Sequence, residues 1–374
     1  MEPRKIVLVL GNGFDLDLGL KTSYKDFWES EYCPKDYPSA LISHLNQTWP
    51  DNLQSVKWYD LENELWKYYT DLRKRNEIPD VLTPDEKKFV TNVDPAYLSF
   101  GVADEYYDAA NSLLQKGYLV ENPKLLPRYL MPYREDMMQP SIWREKNSLQ
   151  LIKEGLCKYL GTLGMIMQAS NTIAFQILAF LDEEARKGDF VNVYSFNYTR
   201  ILLNGRKPDA AIVHYMHGSC EDGRIIIGTR DDKEFNASYD FLQKSFDPAY
   251  NPPALVADLQ DADEIVIFGH SIGENDRQYF KAFFTQQTNY SATRRKDITI
   301  FTRDSLSENQ IKRSLQSMTD GNLSTLFGLN NLQIIKTGEI REDQKKLFNF
   351  LVKHGKEELA TREFIGKLLA KETA

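Results

Sequence analysis

The chain has 374 residues, 42% hydrophobic, 27% charged and 12% aromatic, with a formal net charge of −8. That length suits one large α/β domain with an insertion, or two domains, and the composition is that of a folded protein rather than a disordered one. The charge is spread along the chain without a basic tail or stripe, so nucleic acid is not an expected partner.

Two short basic runs, Arg73-Lys74-Arg75 and Arg294-Arg295-Lys296, read as solvated surface. Cys33, Cys157 and Cys220 form no C-x-x-C pair, which argues against a zinc ribbon or a redox dithiol. Met1 to Lys5 lead straight into an apolar run and leave no room for a signal peptide. No apolar run approaches the roughly 18 residues of a membrane span. The expectation is a reduced, soluble, cytoplasmic protein without a membrane partner.

In chain order, Ile6-Val7-Leu8-Val9-Leu10 is a continuous apolar run ended by glycine, the pattern of a strand buried on both faces. From about Glu31 to Pro140 the character changes to helical periodicity, as in Trp58, Leu61, Leu65, Trp66, Tyr69 and Leu72. Prolines at 79, 84, 95, 123, 127, 132 and 140 interrupt it. A longer amphipathic stretch carries Ile152, Leu156, Tyr159, Leu160, Leu163 and Met167 on one face. Apolar runs of strand type then recur at 191–196, 211–216, 264–268, 298–301 and 332–335, several separated by helical segments such as Tyr279-Phe280 with Phe283-Phe284.

Strands alternating with helices predict an α/β fold: a doubly wound, mostly parallel, Rossmann-like sheet with a large helical insertion. The expected organisation is a nucleotide-binding domain from 1–30 plus 186–340, a helical insertion over 31–185, and C-terminal helices over 341–374 packed on the core.

Four segments carry polar chemistry at predicted strand ends, where open α/β sheets take their ligands. Gly11-Asn12-Gly13 follows the first strand and permits close approach of a phosphate to backbone N–H groups, or else is a plain strand-to-helix turn. Asp15 either caps a helix or contacts a ribose. Asn197, in Ser195-Phe196-Asn197-Tyr198-Thr199, is placed for a ligand or for capping the next turn. In His214-x-x-His217-Gly218-Ser219 the two histidines are poorly spaced for a shared metal on a strand, and no metal site is predicted. His217 suits a general base, and His214 a structural role. Gly269-His270-Ser271-Ile272-Gly273 offers small residues to a ligand, with Asp276 following. It also reads as G-x-S-x-G, for which His354 is the one histidine downstream.

Together, Gly11-Asn12-Gly13-Phe14-Asp15-Leu16, Trp58 through Glu62, Phe196-Asn197-Tyr198-Thr199, His217-Gly218 and Gly269-His270-Ser271-Ile272-Gly273 with Asp276 and Tyr279-Phe280 resemble the AbiH family of bacterial abortive-infection proteins. More distantly the chain is similar to the sirtuin superfamily. Gly11-Asn12-Gly13 with Gly19-Leu20 and Asp26-Phe27 parallels the stretch that wraps NAD, and Asn197 parallels the Asn of T-Q-N-I-D. His217-Gly218-Ser219 parallels the catalytic His-Gly, and Gly269-His270-Ser271 a late turn that touches the cofactor. Trp28 stands in place of the sirtuin Arg, Thr199 in place of an Asp, and the zinc cysteines are absent.

The resemblance implies an anti-phage effector that binds and hydrolyses NAD, its substrate, under the control of a phage-derived trigger and with homo-oligomerisation open. Asn197 and His217 would be catalytic; Gly11, Asn12, Gly13, Asp15, Gly269, Ser271 and Asp276 would bind the nucleotide. Two alternatives stand beside it: a non-enzymatic sensor of a nucleotide or phage protein that signals by oligomerising, and another nucleotide hydrolase or nuclease.

Overall fold

A computed structural model describes residues 2–48, 61–74, 140–163, 171–231, 235, 237–291 and 294–372. The chain divides into two compact units, one from Met1–Phe27, Cys157–Ile226 and Ala249–Ala374, the other from Trp28–Leu156 and Ile227–Pro248.

The first unit contains the strands β1 (Lys5–Leu10), β2 (Phe190–Ser195), β3 (Ile212–Tyr215), β4 (Gly218–Ser219), β5 (Arg224–Ile225), β6 (Glu264–Phe268), β7 (Asp297–Thr302) and β8 (Asn331–Lys336). Six of them form one sheet in the order β3-β2-β1-β6-β7-β8, every neighbouring pair parallel, while β4 and β5 make a short antiparallel ribbon. Each predicted strand-like run is therefore a strand, and the sheet is Rossmann-like.

Alternation along β1 explains the double winding, because successive side chains of a strand point to opposite faces. Ile6, Leu8 and Leu10 pack with Ile177 and Leu181 of the helix Ile173–Arg186 and with Leu347 and Leu351 of the helix Ile340–Lys353. Val7 and Val9 pack on the other face with Leu255 and Leu259 of the helix Leu255–Asp261, Phe280 and Phe284 of Arg277–Gln286, and Leu315 of Ser305–Met318. Each fully buried Val, Leu or Ile side chain is worth about 1.5–3 kcal/mol, so these two layers dominate the unit's stability.

The amino ends of the strands are tied by charge. Glu264, which opens β6, is 3% exposed. It meets His354 Nε2 at 3.1 Å and accepts a hydrogen bond from Lys353 Nζ at 2.8 Å. Burial pushes its carboxyl up, but the hydrogen bond and charge of His354, with Lys353, outweigh that and hold it below the usual range. One surface expectation is corrected here: Lys296 is 3% exposed, its ammonium donating to the carbonyls of Gln260, at 2.7 Å, and Ala262. An apolar stem with its charge spent on two carbonyls can be buried where a solvated lysine cannot.

The second unit is helical among its described residues. It holds the helices Ala40–Thr48 and Leu61–Lys74 and the part of Pro140–Thr162 up to Leu156. Leu61, Leu65, Tyr69 and Leu72 are buried as their spacing predicts, and Ile152 and Leu156 likewise. Trp58, Met167 and the prolines from 79 to 132 lie outside the described residues. Glu145 caps Ala40–Thr48, accepting from the N–H groups of Ala40 at 3.1 Å and Leu41 at 2.7 Å, where the helix dipole favours a carboxylate. No helix among the described residues is long and apolar enough to cross a membrane.

Candidate functional site

The sheet order reverses between β1 and β6: the chain leaves β1 for β2 and β3 on one side and returns to β6, β7 and β8 on the other. Such a reversal opens a crevice at the carboxyl ends of the two central strands. Leu10 is in register with Ser195 and Phe268, and Ser195 with Tyr215. Gly11, Phe196 and Gly269 therefore leave the sheet at one level, with His217 two residues beyond the end of β3.

The two central turns touch backbone to backbone. Gly11 N–H donates to Phe268 O at 3.0 Å, Gly13 N–H to Gly269 O at 2.9 Å, and Phe14 N–H to Gly11 O at 2.9 Å. A Cβ on Gly13 would lie 2.6 Å from Gly269 Cα. One on Gly269, where φ is +63°, would lie 2.4 Å from Gly13 Cα. These glycines are required by the contact between the turns, and the N–H groups of Gly11 and Gly13 are committed to protein acceptors. This alters the expected phosphate cradle: those two amides brace the turn.

Two polar clusters stand on this level. In the first, Asp15 is 2% exposed on the short helix Asn12–Asp17. Thr199 Oγ1 donates to Asp15 Oδ2 at 2.7 Å. Burial drives the Asp15 carboxyl up to about 7, although hydrogen bonds from Thr199, Asn197 and Thr22 draw it back. Asn197, 6% exposed, donates through Nδ2 to Gly11 O at 3.1 Å as well as bonding Asp15. With its amide hydrogens committed, Oδ1 is the acceptor Asn197 brings to a ligand. Asn12 Oδ1 accepts from Thr22 Oγ1 at 2.6 Å.

In the second cluster Asp276 joins two histidines. His270 Nε2 lies 3.2 Å from Asp276 Oδ2, and His217 Nε2 lies 3.6 Å from Asp276 Oδ1. Ile272 N–H donates to His270 Nδ1 at 2.9 Å, so the neutral His270 ring carries its proton on Nε2 and donates it to Asp276. Ile272, fully buried, has φ +50°, a conformation that costs a β-branched residue about 1–3 kcal/mol and is kept where surrounding structure imposes it. The His217 ring meets Phe196 edge-on at 5.4 Å between centroids, and Phe196 also covers His270 at 4.3 Å. Gly218, at φ +73°, lets the ribbon turn immediately after His217: a Cβ there would fall 2.1 Å from Arg224 O.

A model of the family "Bacteriophage abortive infection AbiH" matches residues 7–296, well over half of the chain. The chain belongs to the AbiH family. Its role accordingly lies in phage abortive infection. No curated protein matches it.

In this AbiH-family chain the residues expected to be functional collect at one end of the sheet. Asp15 and Asn197 form one group with the loop at Gly11 to Gly13; His217 and Asp276 form the other, and exposed Ser271 lies on the turn between Gly269 and Ile272. His270 was missed as a site residue in the sequence, where it stood within G-x-S-x-G and the Gly269-His270-Ser271 turn without a role of its own. The serine-hydrolase reading loses its base, because His354 pairs with Glu264 at the opposite, amino end of β6. His214 stacks on Tyr194 at 4.8 Å between centroids, in keeping with a structural role. Among the described residues no group of three or more His, Cys, Asp or Glu is arranged to hold a metal.

Proposed function

We propose that this protein is an abortive-infection effector that hydrolyses NAD to nicotinamide and ADP-ribose at the carboxyl ends of β1, β2 and β6. The observation that carries the reading is the pairing of His217 with Asp276, itself fixed by His270, beside a buried Asn197 at the reversal point of the sheet. The more distant likeness to sirtuins in the same residues adds support.

In the reaction the bond between ribose C1′ and the nicotinamide nitrogen breaks, its electron pair leaving with nicotinamide, and a water oxygen bonds to C1′. His217 accepts the water's proton, and Asp276 stabilises the imidazolium that results. His270 keeps Asp276 oriented through its Nε2–H. Asn197 Oδ1 accepts from a ribose hydroxyl or from the attacking water, so that positioning supplies much of the rate. The transition state is oxocarbenium-like and needs no metal. Because the Gly11 and Gly13 amides are committed, the diphosphate falls to Asn12 and Ser271 on the flanking turns. An uncontrolled NADase would kill its host, so a phage-derived trigger starts the reaction, and the helical second unit is the place for sensing or assembly.

The test is nicotinamide release from NAD by purified protein, and NAD content of cells during phage challenge. Triggered wild type should consume NAD, whereas His217→Ala and Asn197→Ala should not. If wild type and His217→Ala leave NAD equally intact in triggered cells, hydrolysis is refuted. Tight ADP-ribose binding without turnover would then indicate a sensor.

A further inference from the structure

Cys157 and Cys220 are 63 residues apart in sequence, yet their sulfur atoms stand 2.7 Å from each other. Both thiols are free and both residues are partly exposed, so a small oxidant reaches them. A disulfide has an S–S length of about 2.05 Å, so closing one here takes a movement of well under an ångström. The pair is also unequal. The hydrogen bond with Cys220 lowers the Cys157 thiol, while that same bond, together with burial, raises Cys220. One sulfur is suited to attack and the other to resolve.

The position matters as much as the distance. Cys220 follows directly on His217-Gly218-Ser219, and its N–H donates to Tyr198 O at 2.9 Å, next to Asn197. Cys157 lies near the carboxyl end of the helix Pro140–Thr162, in the part that belongs to the first unit.

We propose that Cys157 and Cys220 form a reversible oxidation site, closed to a disulfide by a hydroperoxide, that fastens the turn carrying His217. The Cys157 thiolate attacks a peroxide oxygen, the O–O bond breaks, and the departing hydroxide takes up a proton, leaving a sulfenic acid on Cys157. The Cys220 sulfur then bonds to the Cys157 sulfur and displaces its oxygen as water. Two electrons pass from the thiol pair to the peroxide, and hydrogen peroxide yields two waters. The inference does not depend on NAD being the ligand. Cys33 is a built-in control, since it is buried and burial pushes its thiol up to about 12.

The experiment treats the full-length reduced protein with hydrogen peroxide, then counts thiols after denaturation, measures intact mass and maps the joined peptides. The expected result is a fall from three thiols to one, a mass loss of two hydrogens, and a peptide joining Cys157 to Cys220 within one chain. Dithiothreitol should reverse it. Cys33→Ser should likewise lose two hydrogens, its thiols falling from two to none, and Cys157→Ser should lose no hydrogens. Oxidised wild type should melt about 5 °C higher, as expected for closing a loop of this length in a protein of this size. Three thiols surviving the treatment, a bridge through Cys33, or a bridge between two chains would overturn the proposal. Because the peptide map is made on wild type, a variant that fails to fold leaves the answer intact.

Discussion

The contact between the two central turns makes a prediction that separates a structural glycine from a ligand-binding one. Gly13→Ala places a methyl group 2.6 Å from Gly269 Cα, which is backbone and cannot swing aside. Overpacking of this kind costs about 1–3 kcal/mol. Gly269→Ala meets the same collision, with Cα and carbonyl carbon of Gly13 both at 2.4 Å, and adds a left-handed backbone at φ +63°. The left-handed conformation costs about 1–2 kcal/mol more, for a total of about 2–5 kcal/mol. Gly273→Ala is the control: its nearest neighbour is the Ser271 hydroxyl at 3.0 Å, the end of a side chain that can turn. Thermal unfolding without added nucleotide is the assay, with about 2–4 °C lost per kcal/mol for a unit of 150–250 residues. The order of melting temperatures should be Gly273→Ala equal to wild type, Gly13→Ala lower by about 2–12 °C, and Gly269→Ala lowest. If Gly13→Ala melts with wild type and loses only nucleotide affinity, the glycine serves a phosphate and the packing argument is wrong.

Three further predictions concern charge. Asp15 has a folded-state value of about 7 against 3.8 for the ordinary group. Its contribution is therefore complete below about pH 4 and lost as pH rises towards 7, a difference of up to about 4 kcal/mol; Asp15→Asn should flatten that limb of the melting-temperature profile, and parallel profiles would exclude Asp15 as its source. Glu264 is depressed, so its contribution is present above the unfolded carboxyl value and lost as pH falls through the folded one. Glu264→Ala, which strips the carboxylate from His354 and Lys353, should cost about 3–5 kcal/mol by urea unfolding at neutral pH. Asp276→Asn, which removes the charge facing His217, should lower nicotinamide release about 10²- to 10⁴-fold with little change in melting temperature; unchanged release would remove Asp276 from the mechanism.

The sheet was legible in the sequence because a strand buried on both faces admits few residues other than Val, Ile, Leu and Phe, as β1 and β6 show. The ribbon β4–β5 was not, since two-residue strands have no periodicity and depend on Gly218 adopting a positive φ. Among site residues, those beside glycines at strand ends were visible. The environment of Asp15 was not, because its partner Thr199 lies 184 positions away. Nor was the link from His270 to Asp276, although six residues from a strand-end histidine to a helix-start aspartate is a spacing that could have been weighed. Lys296 and the Cys157–Cys220 pair failed for the same reason: local composition cannot report what long-range folding brings alongside.

The placement of β1 has a consequence for how the protein is made. Both of its neighbours come from far along the chain, Lys5 pairing with Phe190 and Ile6 with Glu264. At a synthesis rate of about 5–20 residues per second, the strand emerges roughly 10–50 s before its second partner exists. During that interval a largely apolar strand, with both edges open until β2 is made and one open until β6 is made, is exposed to other chains. Folding of the whole site thus waits on the late arrival of β6, and a strand made well before its partners is among the last to be secured.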